Sequence, residues 1–592
     1  MAAQGTPPEG RGASPDAVRV ASSADACASL AGSRARHRRS AVAGAAIAAA
    51  TVALVLLFSV FPVLSLLSKG VGEDLVGELA SRGALIRNSV LAGAASAVVS
   101  TVLALAISLR VAFSRSRARN VVVALVFASI ISPPFVSSLA YVELFGRRGL
   151  VTHELLGLSV SPYGPVGVVV MQSVFFCAIN VLLILSTIRN IDPSVIDAAR
   201  DLGASPSAVA RRVVVPLALP SVGACLLLTF VRSLADYGTP VVIGGSFETI
   251  STAIYEQVVG YSDLAGAAVL GILLCVVAVV VYACYAALIA RSRKRVAGTA
   301  TSAFEMLGDR RGAQMTLGGP LGAACSAVSW AFVAFMLMQY ATIVHASLTQ
   351  GISWTAPLTD ANFRHLAEYE ALPLARSLWF ALASAAISCV LGFVCAYLLE
   401  RGRVGVRAGG GRGGVRRKAQ ALLGFAITMP YMLPGTCVGL GYILAFNRPP
   451  LKLTGTAVIV VLVLAFKQLS ISQQAFSNEL SQLDPHLEEA ARDVGATRLA
   501  SALAVVVPSV RRAAAVSFMN AFSSAMVAYS AVLFLIAPGN KTAIFELFDQ
   551  LSSGKYGQAA ATSLVIVAIT LAVDALLGWL FLGRRRRQHA DA

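Results

Sequence analysis

"DAARDLGASPSAVARRVVVP" fills residues 197–216, and "EEAARDVGATRLASALAVVVP" fills residues 488–508. The two agree at a constant offset of 292 residues, which pairs Asp192 with Asp484, Asp201 with Asp493 and Pro216 with Pro508. Each lies between strongly apolar stretches, so the surroundings decide what the duplication is for. Of the 592 residues, 57% are hydrophobic and only 13% are charged, and the mean hydropathy is +0.74. Such values belong to a chain whose solvent is largely lipid.

The apolar run from Ala41 to about Leu67 exceeds a signal-peptide core and fits a retained span entered from the cytoplasm. Further apolar runs lie near 89–110, 120–142, 165–188, 217–242 and 264–290, then near 320–347, 375–399, 420–446, 454–475, 513–536 and 559–582. The expected fold class is therefore an all-α polytopic membrane protein, with about 12 transmembrane helices in two parallel six-helix repeats. An even number of spans returns each half in the same orientation, and "RNSVLAGAASAVVS" resembles "RSLWFALASAAIS" at a slightly shorter offset than the loops. The expected divisions are a disordered cytoplasmic tail over 1–40, a first six-span domain over 41–295, a cytoplasmic linker over 296–318 and a second six-span domain with a basic C-terminal tail over 319–592.

A net charge of +18 raises the question of nucleic acid, but the basic residues come in short clusters between spans: "RSRAR", "RSRKR", "RGRVGVRAGGGRGGVRRK" and "RRRR". Topology accounts for them, with both termini and the segment near 401–418 cytoplasmic and no nucleic-acid partner. The duplicated stretches then fall in the cytoplasmic loop between the fourth and fifth span of each half. The nine cysteines include no C-x-x-C pair, and all but Cys27 lie in apolar segments. His153, His345, His365 and His486 are scattered, so neither a disulfide framework nor a metal site is expected.

Within each loop, Asp192 and Asp484 are natural N-caps, with Pro193 and Pro485 at the first helical position, where a missing N–H costs nothing. The spacing predicts a helix of about three turns ending near Gly203 or Gly495, residues that tolerate positive φ, and a second short helix running into "VVVP". Ala198, Ala199, Ala490 and Ala491 keep one face of this two-helix knob thin enough for a groove, and Asp197 and Glu489 set a carboxylate at its near end.

This arrangement resembles the signature of type I ATP-binding-cassette importer permeases, E-A-A-x-x-x-G followed nine residues later by a hydrophobic-x-hydrophobic-Pro. It stands here as Glu489, Ala490, Ala491, Gly495, Val505, Val507 and Pro508, and as Asp197, Ala198, Ala199, Gly203, Val213, Val215 and Pro216. The resemblance implies that each knob is a coupling helix docking in a separate ATPase subunit, so two knobs serve two ATPase copies. It also implies an extracytoplasmic solute-binding protein as partner and a place in the bacterial inner membrane. No G-x-x-x-x-G-K-[ST] occurs, so ATP and Mg are expected on the partner ATPase, with no cofactor and no catalytic residue on this chain. "MPYMLPGTCVGLGYILAFNRPPLKLTGT" and "SAVLFLIAPGNKTAI" look like the fused permeases for ferric iron, whose relatives carry thiamine, aminoalkylphosphonate or polyamine.

Pro133, Pro134, Pro430 and Pro434 are expected to break the third and ninth helices, whether for gating or for tight packing, and Gly435 and Gly439 have close-contact spacing. Arg232 and Asp236, four apart, suggest a paired couple, the alternative being a pathway role for Asp236 and Tyr237. Lys467 is expected to snorkel toward the cytoplasm, and Glu143 to sit solvated at the outer interface. An ion-coupled secondary transporter would share the repeat but has no need of two capped knobs.

Overall fold

The computed structural model describes residues 38–71, 77, 81–114, 118–132, 134–147, 149–157, 161–292, 316–350, 356–408, 413–484 and 486–582. Among them every regular element is a helix, apart from one isolated bridge between Thr349 and Leu358. The solvent dictates this: in hydrocarbon each backbone N–H and C=O must find a partner inside the protein, and a helix supplies it locally. Nine described helices are long and apolar enough to cross a bilayer, and the number reaches 12 if each of three bent pairs is one span.

The first half contributes α1 (Arg38–Gly70), α2 (Gly83–Ala112), α3 (Ala118–Ile131), α4 (Pro134–Phe145), α5 (Pro165–Arg189), α6 (Pro193–Asp201), α7 (Pro206–Ala235) and α8 (Leu264–Ser292). The second contributes α9 (Gly319–Ser347), α10 (Ala371–Ala408), α11 (Gly413–Met432), α12 (Gly435–Phe446), α13 (Ala457–Gln482), α14 (His486–Asp493), α15 (Leu499–Ser509), α16 (Arg511–Met526), α17 (Ala543–Ser552) and α18 (Tyr556–Leu582). The repeat seen in sequence recurs in packing: α2 lies on α5 and α7 as α10 lies on α13 and α16. Its hydrogen bonds recur too, since Ser89 accepts the Ile250 N–H and Ser377 accepts the Ala543 N–H, both at 2.8 Å.

The halves interlock. α1 packs on α12 of the second half, with Tyr442 donating to the Phe58 carbonyl at 2.6 Å, while α9 reaches back onto α2 and α4. One hydrophobic core therefore draws on both halves, from Phe58 and Phe135 to Phe466 and Phe522.

The proline breaks fall where the sequence puts them. α3 and α4 meet at 108°, and α11 and α12 at 110°. Pro430 lies inside α11, Pro434 caps α12 in an extended conformation (φ −52°, ψ 140°), Pro134 opens α4, and Pro133 is outside the described residues. Gly439 lets α12 approach a non-helical segment, because a Cβ there would stand 2.7 Å from the Ala531 carbonyl oxygen.

The fifth span of each half differs from the expected 217–242 and 513–536. α7 starts at Pro206 and stops at Ala235, followed by a short helix Gly238–Ile243, and α16 stops at Met526 with no helix over 527–536. Nor does the first knob have a separate second helix, since that segment is the start of α7. A π-turn at Ala210–Val214 precedes Pro216, and its equivalent at Ala502–Val506 precedes Pro508. Such a turn absorbs the hydrogen bond that proline cannot donate, so the helix passes through "VVVP". In the second half the corresponding helix bends by 71° between α15 and α16.

Candidate functional site

Each knob is built by local rules. Asp192 caps α6 by accepting the Ser194 N–H at 2.9 Å, which holds its carboxyl below the usual range, and Asp484 accepts the His486 N–H at 2.9 Å before α14. Pro485 is outside the described residues. Gly203 (φ 80°) and Gly495 (φ 95°) end the two helices in the left-handed conformation.

The knobs stand clear of the fold. Asp197, Ala198, Glu489 and Ala490 are exposed, and Ala199 and Ala491 half-buried. Beside Gly203 and Gly495 the repeat sets Leu202 and Val494, which are 89% and 91% exposed. Val195 and Leu487, another equivalent pair, are also exposed. Four outward apolar side chains at matched positions make two copies of one adhesive surface. The carboxylates are tethered differently: Asp197 meets Arg200 at 3.4 Å, whereas Glu489 meets His486 at 2.9 Å. The second knob is also anchored at its base, where Glu488 pairs with Arg401 at 2.5 Å and accepts the Tyr397 hydroxyl at 3.0 Å.

The Glu489 contact raises the proton affinity of His486 above its ordinary value, with Asp484 adding to the effect. A raised imidazole pKa means that the ion pair exists at low pH and is lost as pH rises through that value. In Glu489→Gln the His486 titration should therefore move down, which carbon-labelled histidine NMR of the full-length protein, with its six histidines, would read. An unmoved titration would remove the pair.

Above the knobs, both halves line a cavity of about 1470 Å³. At one end it is lined by Gln473, Ser477 and Ser481, on the part of α13 that leads to the second knob. A cluster of rings also borders the cavity. Tyr237 and Tyr529, equivalent at the 292 offset, are buried and stacked at 5.9 Å, with Phe135 edge-on to Tyr529 at 4.7 Å and Phe548 at 4.8 Å from it. Asp236 and Tyr237 both face this cavity, as do Pro434 and Phe135.

Four charged residues are placed otherwise than the sequence suggests. Arg232 and Asp236 form no couple: helix α7 has ended at Asp236 (φ −75°, ψ 114°), so the i,i+4 face is lost. Arg232 instead donates to the Tyr431 hydroxyl of the other half at 3.1 Å, and Asp236 accepts from Gln172 at 3.0 Å and from the Thr239 N–H at 3.3 Å. Lys467 does not snorkel out; it donates at 3.4 Å to the Leu433 carbonyl, beside the break between α11 and α12. Glu143 is 1% exposed rather than solvated, because α4 turns back into the protein after the bend. Sequence reasoning also missed a buried carboxylate, Glu370, which accepts Gln550 at 2.5 Å and Thr562 at 2.6 Å. It missed Tyr529 as well, although the offset from Tyr237 points straight to it.

Two interlocked, repeated helical halves around one cavity, with a matched pair of exposed knobs, define a membrane transport subunit. The chain belongs to the family described as binding-protein-dependent transport system inner membrane component, whose model matches residues 102–294 and 403–586, more than half of the chain. It is 26% identical over 552 residues to the ferric transport system permease protein FbpB of Actinobacillus pleuropneumoniae, covering 89% of this chain and 77% of that one. A putative ferric transport system permease protein FbpB 1 of Haemophilus influenzae is 28% identical, covering 76% of this chain and 70% of its own. The molybdenum transport system permease protein ModB of Mycobacterium tuberculosis is 33% identical over 199 residues, 33% of this chain and 74% of that one. The protein is thus an importer permease of the inner membrane, a class that works with an ATPase and a binding protein.

Proposed function

We propose that the chain forms the translocation pathway for ferric iron delivered by an extracytoplasmic solute-binding protein, driven by two copies of an ATPase that carry ATP and Mg. The observation that carries the mechanism is the pair of equivalent exposed knobs beneath one shared cavity. Asp197, Ala198, Ala199 and Gly203 would dock on one ATPase, and Glu489, Ala490, Ala491 and Gly495 on the other. When the ATPases close, the knobs draw together, and α7 and α15 carry that displacement toward the cavity walls. Asp236, Tyr237 and the breaks at Pro134, Pro430 and Pro434 lie in or beside the segments that would then rearrange, and the same role is proposed for Pro133, which is outside the described residues. The iron assignment is supported by the two ferric transport system permease relatives, each of which matches most of both chains. Deleting the permease should lower uptake of radiolabelled ferric iron and slow growth under chelation. Unchanged iron uptake with failed phosphonate or molybdate uptake would replace the cargo and keep the importer.

Orientation is part of this proposal, with both termini, the knobs and residues 401–418 cytoplasmic. An impermeant thiol reagent applied to intact cells should label a cysteine placed at the exposed Ser161 and spare one at Gly410. The reverse pattern would invert the whole arrangement.

A further inference from the structure

One cation from each half faces the cavity: Arg232 on α7 and Lys467 on α13. Arg232 donates to the Tyr431 hydroxyl and Lys467 to a backbone carbonyl, and neither is in an ion pair among the described residues. The nearby acid, Asp236, is engaged by Gln172 and by the Thr239 N–H. Glu400, the other lining carboxylate, sits on α10 next to Arg401 and the base of the second knob. The polar neighbours that complete the wall include Tyr431, whose hydroxyl accepts from Arg232 and keeps its own proton to donate.

The repeat supplies an internal control on whether packing demands these charges. At the 292 offset Arg232 corresponds to Ser524 and Lys467 to Phe175, and all four line the same cavity. The fold therefore builds each wall once with a cation and once without. Charges at membrane depth are expensive and persist mainly where a pathway uses them, and a low-dielectric cavity focuses their field on an oppositely charged solute. A bare trivalent cation would be repelled where Arg232 and Lys467 face the cavity. Moreover, no group of three His, Cys, Asp or Glu side chains able to hold a metal ion occurs among the described residues.

We propose that Arg232 and Lys467 form an anion site in the translocation cavity, so that the cargo crosses as an oxyanion or as a metal enclosed by oxyanion ligands. This rests on reading the cavity as the transport path, and it narrows the chemical form in which iron would pass.

The test pairs a binding arm with a transport arm. Arg232→Ser and Lys467→Phe install the residues that the other half carries at equivalent positions, so the fold has a precedent for both, and membrane content would verify it. Purified full-length protein should bind radiolabelled inorganic phosphate saturably in equilibrium dialysis at low salt. Each replacement should weaken binding at least about tenfold, as loss of a charged hydrogen-bond partner does, while Arg232→Lys and Lys467→Arg stay within about threefold. Absence of saturable phosphate binding, or equal binding by Arg232→Ser and Lys467→Phe, would overturn the site. In cells, the Arg232→Ser/Lys467→Phe double variant should lose iron uptake, and wild-type uptake by it would also overturn the site while leaving the ferric reading intact. If instead the wild type carries phosphonate or molybdate and the double variant does not, the ferric reading fails and the anion site stands.

Discussion

Leu202→Asp combined with Val494→Asp is expected to abolish uptake while the protein still inserts at the wild-type level. Both side chains are about nine-tenths exposed and touch little of their own fold, so removing them leaves the permease itself almost unperturbed. What they would lose is a docking pocket on the partner. Apolar anchors at the centre of an interface each contribute upward of about 2 kcal/mol, and a carboxylate forced into such a pocket adds its desolvation. Two anchors lost together correspond to a fall of more than about a hundredfold in association with the ATPase. Co-purification of the ATPase and uptake should disappear together. Gly495→Val should act less completely, because its strain at φ 95° is on the order of 1–3 kcal/mol. Charge reversal at Glu489 should uncouple in the same way. Glu489→Ala should do more harm than Asp197→Ala, since the longer carboxylate reaches further into a partner groove. Normal uptake and ATPase co-purification in the Leu202/Val494 double variant would remove the coupling role.

The knobs were legible in the sequence because every signal for them is local: an aspartate cap, a proline at the first turn and a glycine that can take positive φ. Span count was legible for a related reason, since the bilayer sets a length scale that hydropathy reads directly. What could not be read was set by contacts across the halves. Arg232 turns to Tyr431 about 200 residues away, and Lys467 to a carbonyl beside a helix break, partners that no i,i+4 rule contains. The early end of α7 has the same origin. Leaving the helix at Asp236 brings Tyr237 against Tyr529, and a helix carried on to 242 would have pointed that ring elsewhere. Glu143 reads as solvated only if its span is straight, and the 108° bend before α4 removes that premise.

Replacing Tyr237 and Tyr529 together by alanine should make the membrane leaky. These two rings line the cavity and pack with Phe135 and Phe548, and their equivalence at the 292 offset fits two halves of one seal. Each Tyr→Ala change removes a buried aromatic, on the order of 3–5 kcal/mol with its cavity, and ring contacts of about 0.5–1.5 kcal/mol go with it. Moving a two-state closure from 99:1 to 1:99 takes about 5.5 kcal/mol, so a single change approaches that threshold and the pair exceeds it. Proteoliposomes holding the double variant, without ATPase or binding protein, should pass small ions many-fold faster than the wild type. Tyr237→Phe with Tyr529→Phe keeps both rings and should stay tight, which separates loss of the seal from loss of the hydroxyls. Transport by the alanine pair should also become uncoupled, because a path open at both ends lets solute return down its gradient. A double alanine variant as tight as the wild type would mean that the rings are only core packing and that closure lies elsewhere along the path.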